Sequence, residues 1–261
     1  MNAANERYFN TFNWVHGAAA LIRNSKANPA LYQQKTSHQD IVSAYDAQIE
    51  CYLSACILHA FPQDGIIGEE LDHNPNGEWV WYIDPIDGTA NFVSQHKNYA
   101  ISIACYHDGQ PEFGFVYDVA AEKLFYARVG GGAFCNRKPI TANGACQRVQ
   151  EAFLYTPWMQ PLFVETSAEG LVALAKDVRA VRSLGSVALE LCMLASGEAE
   201  LFLTKISSPW DHNAARIILQ EAGGVLATME GNPLPADQTT SVVAAANAAL
   251  LETIITNYLR R

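Results

Sequence analysis

Trp81-Tyr82-Ile83-Asp84-Pro85-Ile86-Asp87-Gly88-Thr89-Ala90-Asn91-Phe92 carries an apolar run into two aspartates and a glycine. Trp79 to Ile83 reads as a buried strand, because the run is apolar without polar alternation. Pro85 biases Asp84 towards an extended backbone. Gly88 permits an unusual backbone angle and the close approach of another group. Asp84 and Asp87, three residues apart on a sharp turn, can point at a common centre, where the Ile86 carbonyl can join them. Such an oxygen-only set suits a hard cation such as Mg2+. Amides of Gly88 and Thr89, where they open a helix, are placed to receive a phosphate oxygen, and the Thr89 hydroxyl to orient a water. An ordinary turn with both aspartates capping local amides accounts for the same residues. The segment alone leaves both readings open.

Other acids gather around this one by pattern. Glu69-Glu70 follows the short strand Ile66-Ile67 and Gly68, although adjacent acids also fit a solvated loop. Asp46 and Asp211 each stand at a helix start, where an N-cap role is the default. Trp210, beside Asp211, is a bulky anchor that fixes where its helix begins.

The remaining chain reads as a layered α/β protein. Phe9, Phe12, Ala19 and Ile22 predict a first amphipathic helix, and Ile49, Leu53, Cys56, Ile57 and Ala60 one face of a second, which Pro62 stops. Ile101 and Ile103 alternate ahead of Asp108-Gly109, a hairpin signal. Strands over Phe113 to Val119 and Leu124 to Ala127 continue an antiparallel meander. The second half changes rhythm: strands at Ala152 to Tyr155, Val178 to Arg182 and Val242 to Ala246 alternate with helices over 162–175, 186–195 and 211–222 and a last helix to Leu259. Gly223-Gly224 stops the helix from Asp211. A soft boundary near residue 148 separates a lobe of residues 1–148, with the acidic motifs, from a lobe of 149–261, within one compact unit.

Composition narrows the function. The 261 residues carry 27 Asp plus Glu against 17 Lys plus Arg, a formal charge of −10, with 49% hydrophobic and 17% charged residues. High hydrophobicity with low charge excludes intrinsic disorder. The acidic excess argues against nucleic acid and anionic lipid as partners, since both need clustered cations, and is compatible with a cation site. The six cysteines are scattered with no Cys-x-x-Cys pair, so buried, reduced thiols are expected. With no basic-then-apolar leader and no apolar run of about 18 residues, a cytoplasmic protein without a membrane segment is expected.

Taken together the motifs are specific. Ile66-Ile67-Gly68-Glu69-Glu70, Trp81 to Phe92, Gly131-Gly132-Ala133-Phe134-Cys135-Asn136, Arg182-Ser183-Leu184-Gly185-Ser186, Pro209 to Ala215 and Glu221-Ala222-Gly223-Gly224 resemble the inositol monophosphatase family, in the family's order. Lys35 followed by Asp40-Ile41-Val42 and Asp46 is similar as well. The resemblance implies an αβαβα sandwich of the inositol monophosphatase and fructose-1,6-bisphosphatase type that hydrolyses phosphate monoesters with two or three Mg2+ ions. It places metal ligands on Glu69, Asp84, the Ile86 carbonyl, Asp87 and Asp211. A weaker third ion would lie near Glu69 and Asp46. Glu69 and Thr89, with Asp46 holding the Thr89 hydroxyl, would orient a metal-bound water for direct attack, with no covalent phospho-enzyme. Glu70 matches the motif's second acid.

For substrate the resemblance points to a small phosphorylated metabolite, inositol monophosphate first. Histidinol phosphate, fructose 1,6-bisphosphate and 3′-phosphoadenosine 5′-phosphate are the alternatives, and a non-catalytic binding protein of the same fold is a further one. Asp87, Gly88, Thr89, Gly185, Ser186, Val187, Thr204 and Asp211 would line the substrate. Many members that act on inositol phosphate carry an acid seven residues before the aspartate of the Trp-Asp motif. Here Thr204 stands there, able to bond a hydroxyl without adding charge, and Lys205 follows, able to attract a second anion. Val187 replaces the family's usual alanine and would tighten the pocket. A homodimer and lithium inhibition are family expectations.

Other hydrolase mechanisms fail on the residues. An aspartyl-phosphate enzyme needs its nucleophile two positions before Asp87, which is Pro85. No G-x-S-x-G elbow occurs, and no H-E-x-x-H zinc pattern. His212 is expected to be structural or solvent-facing.

Overall fold

Trp79–Asp87 forms one strand in the computed structural model, which describes residues 2–24, 32–34, 41–157 and 169–259. In order, the elements are α1 (Ala3–Asn24), β1 (Tyr32–Gln34), β2 (Ile41–Ser43), α2 (Ala44–Ala60), β3 (Gly65–Gly68), β4 (Trp79–Asp87), α3 (Thr89–Gln95), β5 (Ala100–His107), β6 (Gln110–Asp118), β7 (Lys123–Arg128), β8 (Ala133–Cys135) and β9 (Lys138–Ile140). The second half adds β10 (Phe153–Tyr155), α4 (Glu169–Asp177), β11 (Ala180–Arg182), α5 (Val187–Ala195), β12 (Leu201–Ser207), α6 (Pro209–Glu221), β13 (Val225–Ala227), β14 (Thr240–Ala245) and α7 (Ala248–Ile254).

Strands β3 to β9 make a seven-stranded sheet in sequence order, antiparallel except for the parallel pair β3 and β4. The second sheet has the order β11-β10-β12-β14-β13, parallel among its first three strands. Successive side chains of a strand face opposite ways, and β4 uses this to join two cores. Trp81 and Ile83 pack with Val15, Ile22, Ile49, Leu53 and Ile57 of α1 and α2. Tyr82 faces the other way, into a cluster with Leu189 of α5, Ile217 and Ile218 of α6, and Phe202 and Val242 of the second sheet. A third cluster joins Leu154, Leu203 and Val243 to Leu174 of α4 and to Leu250 and Ile254 of α7. Five layers result, α1/α2, sheet, α5/α6, sheet, α4/α7, which is the αβαβα sandwich expected.

Several elements differ from the sequence reading. Phe9, assigned to the buried face of α1, is 55% exposed; Ala4, Arg7, Thr11, Val15, Ala18 and Ile22 face inward instead. On α2, Cys56 and Ala60 are not buried, whereas Asp46, Glu50 and Ser54 are. Polar groups therefore occupy part of the inner face of α2, where apolar periodicity predicts hydrophobic side chains. Asp84 and Asp87 lie on β4 itself, not on a turn beyond it. A bulge between them shifts the pairing with β5 from Asp84↔Ser102 to Asp87↔Ala100, and the one extra residue re-aims the side chains at that end of the strand. Strands β1, β2, β8, β9 and β13, of three residues each, and β12, whose apolar run is broken by Thr204-Lys205, have no counterpart in the sequence reading. Segment 162–168 of the predicted helix, and Lys35 and Asp40, lie outside the described residues.

Three of the six cysteines, Cys105, Cys146 and Cys192, are buried; Cys51 is exposed and Cys56 and Cys135 are half-buried, so the expectation of buried thiols holds for half of them. All six are free. Among the described residues no helix is long and apolar enough to cross a membrane.

Candidate active site

The bulge end of β4 meets the start of α5, in the helical layer between the two sheets. Gly88 is the N-cap of α3 with φ 92° and ψ 41°, a left-handed conformation that disfavours a side chain. Space is tight as well: a Cβ there would lie 3.0 Å from the Asn98 carbonyl and 3.2 Å from the Gly185 carbonyl, so both would have to give by a few tenths of an ångström. Asn91 completes the seam by donating from Nδ2 to the carbonyls of Asn98, at 2.9 Å, and Leu184, at 2.6 Å. One amide side chain thus ties the first sheet's motif to the loop before α5.

Main-chain amides fix three acids in rotation. Asp84 Oδ1 accepts the Ile86 amide at 2.9 Å. Asp87 Oδ2 accepts the Ser186 hydroxyl and the Ala188 amide, both at 2.6 Å. Asp211 Oδ2 accepts the Ser208 amide at 2.8 Å. Asp211 is therefore the third residue of α6 in a capping box with Ser208, not the N-cap. Asp46 likewise lies inside the first turn of α2. Each of the three amide-bound carboxylates has about four lone-pair sites, so capacity remains for another electrophile.

The acids share one field. Asp84 is pushed well above the carboxylate range by burial, then by the charges of Glu69, Asp87, Asp211 and Asp46. Asp211 is pushed well up by burial and then Asp87. Burial lifts Asp87 to about 6, against the bonds from Ser186 and Ala188. Glu69, half-buried, follows the end of β3. The structure thus brings Asp46, Glu69, Asp84, Asp87 and Asp211 into mutual influence. Among the described residues no three His, Cys, Asp or Glu side chains are drawn together as metal ligands are. The donors are all oxygen, the chemistry of a hard cation.

The Thr89 hydroxyl lies 2.9 Å from Asp46 Oδ1 and 3.0 Å from the Ile86 carbonyl. It has one proton for two acceptors. Thr89 also opens α3, where helix geometry leaves the leading N–H groups without internal partners.

The remaining sequence candidates fall differently. Ser186 caps α5, and its hydroxyl serves Asp87, so Ser186 enters the site through an acid. Thr204, read as a free hydroxyl for a ligand, is 1% exposed and donates to the Ile206 carbonyl at 3.0 Å; as it stands, its proton is committed to the chain. Val187 and Lys205 are half-buried. His212 is fully buried, its Nδ1 3.0 Å from the Ser207 hydroxyl, and burial lowers it to about 4. It is a neutral structural imidazole.

Two buried glutamates were missed. Glu190 on α5 accepts the Leu184 amide at 2.6 Å and the Gly185 amide at 3.1 Å, while burial raises it to about 8. Glu50 on α2 accepts the amides of Glu70 and Leu71. The available signal was a lone charge within an apolar helical stretch: Glu190 in Val187-Ala188-Leu189-Glu190-Leu191, and Glu50 one turn after Asp46.

Comparison with known proteins gives a consistent result. The sequence pattern described as the inositol monophosphatase family matches residues 5–260. Inositol-1-monophosphatase of Bacillus subtilis (strain 168) is 35% identical over 253 residues, covering 94% of each chain. Inositol monophosphatase-II from Staphylococcus aureus MSSA476 superposes with a TM-score of 0.85 at 31% identity, over 98% of this chain and 96% of its own. SaIMPase-II with bound inositol monophosphate gives 0.85 at 29%, over 97% and 93%.

Proposed function

The chain belongs to the inositol monophosphatase family and is a phosphoric monoester hydrolase, and from that premise we propose that it hydrolyses inositol monophosphate with Mg2+ as its cofactor. The observation that carries this reading is the shared field of Asp84, Asp87 and Asp211 where the end of β4 faces the start of α6. Buried like charges are costly unless a cation offsets them. Glu69, Asp84, the Ile86 carbonyl, Asp87 and Asp211 would hold two ions, and Asp46 with Glu69 a third. Bound there, Mg2+ supplies charge neutralisation for the phosphate and Lewis acidity for the attacking and departing oxygens.

The chain's own residues do the positioning. With the Ile86 carbonyl engaged, the Thr89 proton goes to Asp46 Oδ1, so the Thr89 oxygen is left as an acceptor facing a water. Glu69 is the second acceptor, and the pair orients that water in line with the phosphorus. Leading amides of α3, at Gly88 and Thr89, hold phosphoryl oxygens. Asn91 and Glu190 keep the Gly185-Ser186-Val187 segment against them. Lithium sensitivity and a homodimer are carried by the resemblance, and a cytoplasmic location by the sequence reading.

Thr204 favours a second reading, a related ester in place of inositol phosphate. A polyol meets no carboxylate at that position, and the threonine proton is committed to Ile206. The test is a panel of inositol monophosphate, histidinol phosphate, fructose 1,6-bisphosphate and 3′-phosphoadenosine 5′-phosphate, with Mg2+ and with chelator, ranked by kcat/KM. Inositol phosphate is expected first, and only with Mg2+. Its appearance among the poorest substrates overturns the inositol assignment, and full activity in chelator overturns the cofactor.

A further inference from the structure

Glu50 is fully buried on α2, a rare place for a carboxylate without partners. Its Oε2 accepts the Glu70 amide at 2.8 Å and its Oε1 the Leu71 amide at 2.9 Å. His73 Nε2 lies 3.0 Å from Oε1, and 3.2 Å from the hydroxyl of Ser54, one turn further along the helix. Gly68 makes room for this carboxylate. A Cβ at that position would lie 2.6 Å from Glu50 Cδ and 2.9 Å from its Oε2, so a side chain at residue 68 would push the Glu50 carboxylate off the amides it accepts. Glu69 is therefore flanked on both sides by backbone seated on one carboxylate: Gly68 against it, and the amides of Glu70 and Leu71 bonded to it.

The same helix holds the other half of the water-orienting pair. Asp46 and Glu50 are four residues apart, on one face of α2, and Asp46 Oδ1 takes the Thr89 hydroxyl. A single helical turn thus references Thr89 and the segment bearing Glu69 to each other. We infer that Glu50 is a positioning residue: its carboxylate sets where Glu69 stands relative to Asp84 and Thr89, and so sets the affinity for Mg2+ without touching ion or substrate. The inference rests on the reading of Glu69 as a ligand of Mg2+.

Glu50→Gln keeps the volume but replaces one acceptor by a donor, so one of the two amides meets an N–H group where it had an oxygen. The experiment measures the Mg2+ concentration giving half-maximal hydrolysis, calorimetric binding of Mg2+ alone without substrate, and the melting temperature in chelator. Residues that orient metal ligands typically change affinity about 10- to 100-fold when replaced. Glu50→Gln is accordingly expected to weaken Mg2+ about tenfold or more in both titrations and, because Glu69 also orients the attacking water, to lower the rate at saturating Mg2+ as well.

Ser54→Ala loses the half-buried hydrogen bond between the same helix and His73 but keeps both loop amides on Glu50, and is expected to leave Mg2+ affinity within about twofold. Wild-type Mg2+ binding in folded Glu50→Gln overturns the inference, as does an equal shift in Ser54→Ala, which would mark a general packing effect. If Glu50→Gln does not fold, Glu50→Asp decides: it keeps the charge and shortens the reach, and the same weakening is expected. A wild-type protein that binds Mg2+ but hydrolyses no phosphate ester overturns the functional reading and leaves calorimetry to decide for Glu50. One that binds no Mg2+ overturns both.

Discussion

Replacing Asp87 by Asn should stabilise the metal-free protein while removing its activity. Asp87 is 8% exposed, and burial lifts its carboxyl from an ordinary 3.8 to about 6. At about 1.4 kcal/mol for each pH unit, the difference amounts to about 3 kcal/mol. Because the folded state binds this proton more tightly than the unfolded state, the cost is absent below pH 3.8, grows up to about pH 6 and is constant above that. The carboxamide oxygen that replaces the carboxylate can still accept from Ser186 and Ala188, and the new NH2 group faces neighbouring acids as a donor. In chelator at pH 8 the variant should therefore melt roughly 6 to 12 °C above wild type, at 2–4 °C per kcal/mol for a chain of this size. Near pH 3.5 the two should coincide. With saturating Mg2+ the order should reverse, since wild type gains the ion's binding energy, and hydrolysis by the variant should be largely lost. Differential scanning calorimetry with and without chelator, at both pH values, makes the comparison. A variant that melts at or below wild type in chelator at pH 8 refutes the argument.

Glu190→Gln tests the second buried acid. Its carboxyl is raised from 4.5 to about 8, so wild-type stability contains a contribution that falls as pH rises from 4.5 to about 8; the variant should lack that slope and lie on the order of 3 kcal/mol higher at pH 7 by chemical denaturation. An unchanged slope would falsify it. Gly88→Ala should destabilise by at least about 1–2 kcal/mol from its positive φ, with further cost from the nearby carbonyls, and should depress kcat because Gly185 and the leading turn of α3 are pushed apart; wild-type turnover would count against the seam described above.

Much of the architecture is legible because β4 is an unbroken apolar run, and because β5 and the helices are long enough to repeat an apolar pattern between clear turn and stop signals. Asp108-Gly109 is legible for a local reason: both residues take positive φ, 49° and 73°, which their types tolerate. What escapes is what depends on distant partners. Three-residue strands such as β8 and β13 exist through pairing with neighbours, and their own residues carry no period. Asp84 and Asp87 stand out as acids beside Gly88, but the bulge that aims them is set by register with β5. Glu50 and Glu190 look like interruptions of apolar helices until the amides they accept, at residues 70–71 and 184–185, are brought beside them. The Thr204 hydroxyl looks available until β12 is buried.

The bond from Ser186 to Asp87 spans 99 positions, and synthesis proceeds in one direction. Asp46, Glu69, Asp84 and Asp87 emerge from the ribosome long before the helix that caps Asp87 exists. At about 5–20 residues per second the interval is roughly 5 to 20 s. Throughout it, the acids keep their hydration, and the face of the first sheet bearing Tyr82, Ala104, Tyr106 and Val116 has no α5 or α6 against it. Until α5 and α6 are made, the first sheet therefore carries acids at the end of β4 and an uncovered apolar face at its centre.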